Sequence, residues 1–294
     1  MNAFQPNFPG SQELFTMIKD FKKVPVCGWF NRFDEMTGGF YEGQTIIIGG
    51  STGGGKTTLA VNLVHQLATR FNVAYISTET SAIEIAQRVL KRYNSYKDVP
   101  PMSLQILDED SMRNSRRAGP VMRYTPPCYD SLDNVDFVIL DYLKTDCVDA
   151  TEGGRQMREL VDIWRRYAET TGKIVILFSQ IQDWKTDTFG NFSSYNDFWL
   201  SKTMCQPAYT VLAVHRVEAV KGQITSAVDV IKNRNSGTSE YILGRFVVTL
   251  NTDNCEINSV SEIKPENQAK DMLKPQPRIS EADCKKLMAG LANL

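Results

Sequence analysis

The sequence predicts an α/β fold with a doubly wound, mainly parallel sheet, and two observations support this. First, five short runs rich in Ile and Val alternate with longer stretches whose apolar residues recur every three or four positions. Such runs are typical of strands that are buried on both faces of a parallel sheet. Second, alternation of strand and helix favours right-handed crossovers, which place helices on both faces of the sheet.

The predicted elements follow one another in a regular order. The strand candidates are 45–49, 73–77, 137–141, 174–179 and 210–214, and the helix candidates between them are 57–71, 81–92 and 155–170. After Ala227 the pattern changes to strands joined by turns, at 227–232, 241–250 and 256–260, with a hairpin signal at 235–237. We therefore expect C-terminal β-hairpin additions to the sheet.

Length and composition indicate one domain with an arm at each end. A chain of 294 residues with 42% hydrophobic content can bury one large core, which we place at residues 24–260. Residues 1–23 are expected to form an N-terminal arm. Residues 261–294 are expected to form a polar linker followed by a short amphipathic helix.

Composition also excludes several classes of protein. No apolar run approaches the roughly 20 residues that span a bilayer, and no signal peptide opens the chain. The six cysteines are scattered without a CxxC pair, which argues against a zinc site and a disulfide framework and favours the cytoplasm. The net charge of −1 does not indicate nucleic acid, although a strand held in a channel needs only a few basic loops.

A phosphate-binding motif, G-x-x-x-x-G-K-[ST], lies between the first predicted strand and the first predicted helix. Its residues are Gly50, Ser51, Thr52, Gly53, Gly54, Gly55, Lys56 and Thr57, and Thr58 follows as a further nucleotide-binding candidate. The glycines allow backbone N–H groups to turn inward around a phosphate. We expect Lys56 to reach the β- and γ-phosphates of ATP and Thr57 to hold Mg²⁺. The alternative is a chance glycine-rich turn, which requires no flanking strand and helix.

Three polar residues follow neighbouring strands and complete the expected site. Asp141 ends the run 137–141 and is expected to support Mg²⁺; the alternative is an ordinary strand-terminal Asp. Glu79 ends the second strand and is expected to orient the attacking water; the alternative is an acid that favours a helix N-terminus. Gln180 follows 174–179 and is expected to sense the γ-phosphate; the alternative is an amide that caps a loop. Ligands of such sheets bind at the carboxyl ends of strands, where all three lie.

The order of the motifs resembles that of the DnaB-type replicative helicases of bacteria and phages. The resemblance is carried by VPV at 24–26, FDEMTGGF at 33–40, the phosphate-binding motif, STE at 77–79, ILDYL at 139–143, FSQI at 178–181 and IKNRN at 231–235. Single motifs are shared with RecA-like ATPases generally. The combination of Asp-Tyr-Leu with Lys-Asn-Arg-Asn indicates the helicases.

The resemblance implies a RecA-like core in a six-membered ring that moves 5′-to-3′ on single-stranded DNA, with nucleotide bound between subunits. It assigns Lys56 and Thr57 to phosphate and Mg²⁺, Glu79 as the catalytic acid, Asp141 to Mg²⁺, Gln180 as the γ-phosphate sensor, and Lys232 and Arg234 to the nucleotide of the neighbouring subunit. A helix within 1–23 would pack on a neighbour, and a primase or a helicase loader is an expected partner. The family's N-terminal domain has no counterpart in this sequence, which suggests a phage-like form.

Two loops are expected to hold the DNA strand, at 144–155 and 181–206. The second contains aromatic residues interleaved with lysines, which suits base stacking, although the rings can instead pack the loop onto the body. We take Lys144, Lys185 and Lys202 as the DNA contacts. The second loop departs from the family, because FWLSK stands at 198–202 where Arg-Glu-Ser-Gly is expected.

Two other functions remain open. A RecA-like strand-exchange protein that forms an open filament also carries a Glu after the P-loop helix and basic residues that reach across subunits. A non-motor ATP-gated loader or switch needs the nucleotide site alone.

Overall fold

A computed structural model describes residues 26–94, 103–108, 125–126, 132–144, 150–181, 198, 202–234 and 244–262. These residues form a nine-stranded sheet with helices packed against it, which confirms the predicted α/β class. The predicted N-terminal arm, the C-terminal helix, the hairpin signal at 235–237 and Lys185 lie outside the described residues.

The element bounds agree with most of the predicted elements. The strands are β1 (Thr45–Gly50), β2 (Val73–Ser77), β3 (Leu104–Leu107), β4 (Phe137–Asp141), β5 (Ile174–Gln180), β6 (Thr210–Val220), β7 (Gln223–Asn233), β8 (Arg245–Asn251) and β9 (Ile257–Glu262). The helices are α1 (Asn31–Thr37), α2 (Lys56–Leu67), α3 (Ala82–Asn94) and α4 (Ala150–Thr171). Short 3₁₀ turns cover Leu132–Asn134 and Lys202–Cys205.

The sheet has a parallel half and an antiparallel half. The strand order is β3-β2-β4-β5-β1-β6-β7-β8-β9. Strands β1 to β6 pair in parallel, whereas β6, β7, β8 and β9 form successive antiparallel pairs. The predicted β additions after the parallel core are therefore confirmed.

Both faces of the central strands are buried, which explains why their sequences are continuously apolar. On one face, Tyr75 of β2 and Ile139 of β4 join a hydrophobic cluster with Leu63 of α2. On the other face, Val138 of β4 joins a second cluster that includes Trp164 of α4.

Three boundaries differ from the predictions. Strand β6 continues to Val220 and turns at Lys221 and Gly222 into β7, because residues 216–220 are exposed and lack the apolar pattern of a buried strand. Strand β3 was not predicted; its four residues are only half-buried at the edge of the sheet. Strand β9 ends at Glu262, two residues inside the predicted linker.

Candidate nucleotide-binding site

The phosphate-binding motif forms the connection between β1 and α2 at the carboxyl edge of the parallel strands. Gly53 and Gly55 adopt φ values of 69° and 91°, in the left-handed region that glycine tolerates. A Cβ on Gly55 would lie 2.8 Å from Leu250 Cδ1 of β8. The loop therefore needs glycine both for its turn and for its close approach to the antiparallel half of the sheet.

Lys56 folds back across its own loop. Its Nζ donates hydrogen bonds to the carbonyl oxygens of Gly50, at 2.8 Å, and Ser51, at 3.0 Å. The ammonium group thus lies inside the curve of the loop, where the phosphates of a nucleotide bind in proteins that carry this motif.

Asp141 ends β4 beside the loop and is 5% exposed. Its Oδ2 accepts a hydrogen bond of 2.6 Å from the Tyr75 hydroxyl, and the Thr57 hydroxyl bonds to the same carboxylate. Burial raises the pKa of Asp141, and the hydrogen bonds from Tyr75 and Thr57 oppose this rise. Burial also raises the pKa of Tyr75 well above its ordinary value, so the phenol remains a donor.

Glu79 is exposed and lies two residues beyond the end of β2, rather than at its last residue as predicted. The preceding residue fixes this segment to β4. The Thr78 hydroxyl donates to the Tyr142 carbonyl oxygen at 2.7 Å, and the Thr78 amide donates to the Asp141 carbonyl oxygen at 3.0 Å. The position of Glu79 relative to Asp141 is therefore set by contacts between two strand ends.

Gln180 is the last residue of β5, and it pairs in register with Gly50 at the start of the loop. Its Nε2 donates to Thr52 Oγ1 at 3.0 Å. The amide is thus in direct contact with the phosphate-binding loop, as expected of a residue that follows the neighbouring strand.

These side chains line one cleft of about 290 Å³. Its lining comprises Ser51, Thr52, Gly53, Gly55, Lys56, Thr57, Thr58, Glu79, Arg88, Asp141, Tyr142, Gln180 and Ile224. Of the loop residues predicted to bind nucleotide, Gly50 and Gly54 support the loop from outside this lining. The Thr58 hydroxyl bonds to Cys255.

The sequence analysis missed two cations and a serine at this site. Arg88 of α3 lines the cleft, and Arg216 Nη1 of β6 lies 3.0 Å from the position that a Cβ on Gly53 would occupy. The Ser226 hydroxyl of β7 donates to the Gly54 carbonyl oxygen at 3.1 Å. No motif marks these residues, because pairing of β6, β7 and β8 brings them to the loop.

The segment predicted to act on a neighbouring subunit is anchored to its own chain. Lys232 Nζ donates to the carbonyl oxygens of Cys205, at 3.1 Å, and Gln206, at 2.7 Å. Asn233 Nδ2 donates to the Thr37 carbonyl oxygen at 3.0 Å. Burial and the nearby Arg234 lower the pKa of Lys232 to about 8. The exposed Arg234 is held by its backbone amide.

Arg234 lies at the opposite edge of the sheet from the phosphate-binding loop. Its amide donates to the Tyr209 carbonyl oxygen at 2.9 Å, beside the first residue of β6. Gly50 pairs with Val214, five residues further along β6, which is a distance of about 16 Å. An arginine side chain is too short to bridge this distance, so Arg234 does not reach the nucleotide site of its own chain.

The two predicted DNA loops are only partly described. Lys144 Nζ contacts the Thr78 carbonyl oxygen at 3.5 Å. Helix α4 begins at Ala150, so the first loop is shorter than predicted, and Arg155 lies in the helix with an ion pair to Glu152. In the second loop, Lys202 opens a 3₁₀ turn, and Phe198 is 3% exposed and packs into the core.

The fold and the loop define a RecA-like P-loop protein. Among solved structures, the chain is similar to a helicase ATPase domain with a TM-score of 0.61 and 14% identity, covering 85% of this chain and 96% of that one. This likeness confirms the fold. Within that class, residues 26–126, about a third of the chain, match the DnaB-like helicase C-terminal domain family, which confirms the resemblance indicated by the motifs.

Curated relatives add a second resemblance. The chain is 25% identical over 144 residues to the DNA repair protein RadA of Pseudomonas aeruginosa and 26% identical over 153 residues to RadA of Haemophilus influenzae. The matched segments cover 49% and 52% of this chain, but they span only 29% and 31% of those proteins. Across the described ranges, no helix has the length and apolar character to cross a membrane.

Proposed function

We propose that the chain is an ATP-dependent replicative DNA helicase that works as a hexameric ring on single-stranded DNA. The observation that carries this proposal is the division of the catalytic candidates between two edges of the sheet. Lys56, Asp141, Glu79 and Gln180 meet at one edge, whereas Arg234 lies at the other edge, out of reach of them. A site completed by the next subunit of a ring accounts for both positions.

The cleft suits an ATP–Mg²⁺ complex. Hydroxyl and carboxylate oxygens are the ligands that Mg²⁺ prefers, and Thr57 and Asp141 supply one of each in direct contact. Bound there, Mg²⁺ neutralises charge on the β- and γ-phosphates. Lys56 adds a point charge, and the N–H groups at the start of α2 add the positive end of the helix dipole.

Hydrolysis requires a group to orient water and a cation to stabilise the transferring phosphoryl group. Glu79 is exposed in the cleft and suits the first role, and Gln180 suits detection of the γ-phosphate through its contact with Thr52. Arg234 suits the second role from the neighbouring subunit, because a planar guanidinium binds phosphate oxygens in pairs. Lys232 is proposed to assist there.

Single-stranded DNA would pass through the ring along the loops that follow β4 and β5. Lys144 lies on the first of these loops and also contacts the residue before Glu79, which offers a link between DNA and hydrolysis. Lys185 and Lys202 remain proposed contacts on the second. We place the protein in the cytoplasm with a primase or a loader as partner, and we propose 5′-to-3′ movement.

A second candidate function is a RecA-like strand-exchange ATPase, which the similarity to RadA repair proteins favours. Electron microscopy with ATP and single-stranded DNA distinguishes the two, because the helicase forms closed rings and the strand-exchange protein forms filaments. Unwinding of a forked duplex is the direct test of the helicase. Rings that hydrolyse ATP without unwinding would instead indicate the non-motor switch.

A further inference from the structure

Tyr75 contacts the nucleotide site from inside the protein core. It stands in the middle of β2 with no exposed surface, and its hydroxyl donates to Asp141 Oδ2 at 2.6 Å. The strand register produces this contact. Tyr75 pairs with Ile139, and Asp141 lies two residues further along β4. Residues two apart on a strand share a face, so the tyrosine ring reaches diagonally to the carboxylate.

The carboxylate of Asp141 is held between two hydroxyl groups that come from different directions. Tyr75 approaches from the core beneath the sheet edge, and Thr57 approaches from the first turn of α2. Two donors on different elements restrict rotation of the carboxylate about its Cβ–Cγ bond. A carboxylate that is 5% exposed has little water to take the place of either donor.

We propose that Tyr75 is a positioning residue for Mg²⁺ binding, acting through Asp141. By holding Oδ2 from the core, it keeps the other carboxylate oxygen turned towards the cleft. This inference rests on the proposed function, because it requires that Asp141 supports Mg²⁺. It goes beyond that function by assigning a role to a buried core residue that touches neither the nucleotide nor the metal.

The physical basis is a charge-assisted hydrogen bond in a buried environment. An O–H group that donates to a carboxylate at about 2.5–2.7 Å is among the stronger hydrogen bonds in proteins. Partners that orient metal-ligating groups typically change metal affinity by about 10- to 100-fold when they are removed. Phenylalanine at position 75 would fill the same space in the core and would remove this donor alone.

The test measures binding rather than turnover. A fluorescent ATP analogue is titrated into wild-type protein and Tyr75→Phe, first with EDTA and then with increasing Mg²⁺. We expect equal affinity in EDTA and an increase of about 10-fold in the Mg²⁺ concentration that gives half of the metal-dependent gain. Tyr167→Phe is the matched control, since its hydroxyl donates to the Leu132 carbonyl oxygen at 3.4 Å, away from the cleft. It should leave both values unchanged.

A double-mutant cycle shows whether Tyr75 acts through Asp141. Asp141→Asn alone should weaken the Mg²⁺ dependence. Adding Tyr75→Phe to Asp141→Asn should then have a much smaller effect than Tyr75→Phe has in the wild-type protein. Equal effects of Tyr75→Phe in the two backgrounds would overturn the proposal, because they would indicate a general effect on packing.

A second measurement covers the case in which Tyr75→Phe does not fold. 3-Fluorotyrosine is placed at position 75, and its ¹⁹F resonance is followed as Mg²⁺ is added in the presence of nucleotide. The resonance should shift with Mg²⁺ in the wild-type background and should not shift in Asp141→Asn. An unchanged resonance where Mg²⁺ does strengthen nucleotide binding would refute the role of Tyr75. Wild-type protein that binds nucleotide equally with and without Mg²⁺ would refute the proposed ATP–Mg²⁺ site instead.

Discussion

The two edges of the parallel sheet carry the same kinds of polar side chain but use them differently. At the carboxyl edge, Lys56, Asp141 and Gln180 contact one another's elements and line one cleft. At the amino edge, Lys232 and Asn233 bond to backbone carbonyls of their own chain and leave the side chain of Arg234 exposed. The first edge is a binding site within one chain. The second edge has the features of a surface that needs a second chain.

The largest expected effect tests whether the second edge acts on a neighbour. Arg234→Ala should bind ATP normally and lose hydrolysis by a factor on the order of 10³, because the transition-state charge lacks its partner. Arg234→Lys should recover only part of this, because it keeps the charge without the planar fork. Arg166→Ala is the control, since this exposed cation forms a surface ion pair with Asp162 and should have little effect. Steady-state ATPase and equilibrium ATP binding are the measurements.

Mixing two inactive variants sharpens the same comparison. Arg234→Ala retains Glu79, and Glu79→Gln retains Arg234. If each site combines Glu79 of one subunit with Arg234 of the next, some interfaces in a mixture carry both groups intact. ATPase activity should therefore rise when the two proteins are combined. Flat activity across all mixing ratios, with subunit exchange verified independently, would contradict a shared site.

The next effect belongs to the first edge. Lys56→Ala should lower ATP hydrolysis by about 10²- to 10³-fold, since it removes the charge that faces the phosphates. It should also weaken ATP binding, whereas Glu79→Gln should bind ATP–Mg²⁺ and hydrolyse it slowly. Nucleotide titrations and single-turnover kinetics separate these outcomes. An equal loss of binding in both variants would show that the division of roles is wrong.

A smaller effect is expected from the anchor of the second edge. Asn233→Ala removes the hydrogen bond to the Thr37 carbonyl oxygen and should lower the free energy of unfolding by about 1 kcal/mol. Because Arg234 follows directly, hydrolysis should fall while ATP affinity stays constant. Asn258→Ala, at an exposed position of β9, is the control and should change neither quantity. Urea denaturation measures the stability, and unchanged hydrolysis in Asn233→Ala would argue against an anchoring role.

The smallest effect concerns pH. The pKa of Lys232 in the folded protein is lowered from 10.5 to about 8, so the unfolded chain binds more protons between these values. Stability contributed by Lys232 should therefore rise with pH between about 8 and 10.5. Lys232→Met should lack this contribution, which urea denaturation at about pH 7.5 and about pH 10 can measure. An identical pH dependence in the two proteins would contradict the lowered pKa.

The sequence is sufficient to predict the first edge because its residues belong to continuous motifs. Asp141 and Gln180 each follow an apolar strand, and parallel strands bring such residues to one edge whatever the detailed register. Arg216 and Tyr75 could not be predicted in this way. Arg216 reaches the loop through the extension of β6, whose exposed residues have no buried-strand pattern. Tyr75 reads as an ordinary core residue, and only its diagonal position relative to Asp141 distinguishes it.

Strand β7 joins the two edges as one continuous element. Ser226 near its start bonds to the phosphate-binding loop, and Asn233 at its end precedes Arg234. The extended chain from Ser226 to Asn233 has a length of about 24 Å and pairs with β6 and β8. Such an element resists compression, so displacement of the loop by a bound phosphate would be transmitted along its axis. In a ring, this would connect the nucleotide of one subunit mechanically to that of the next, and it would impose an order of firing around the circle.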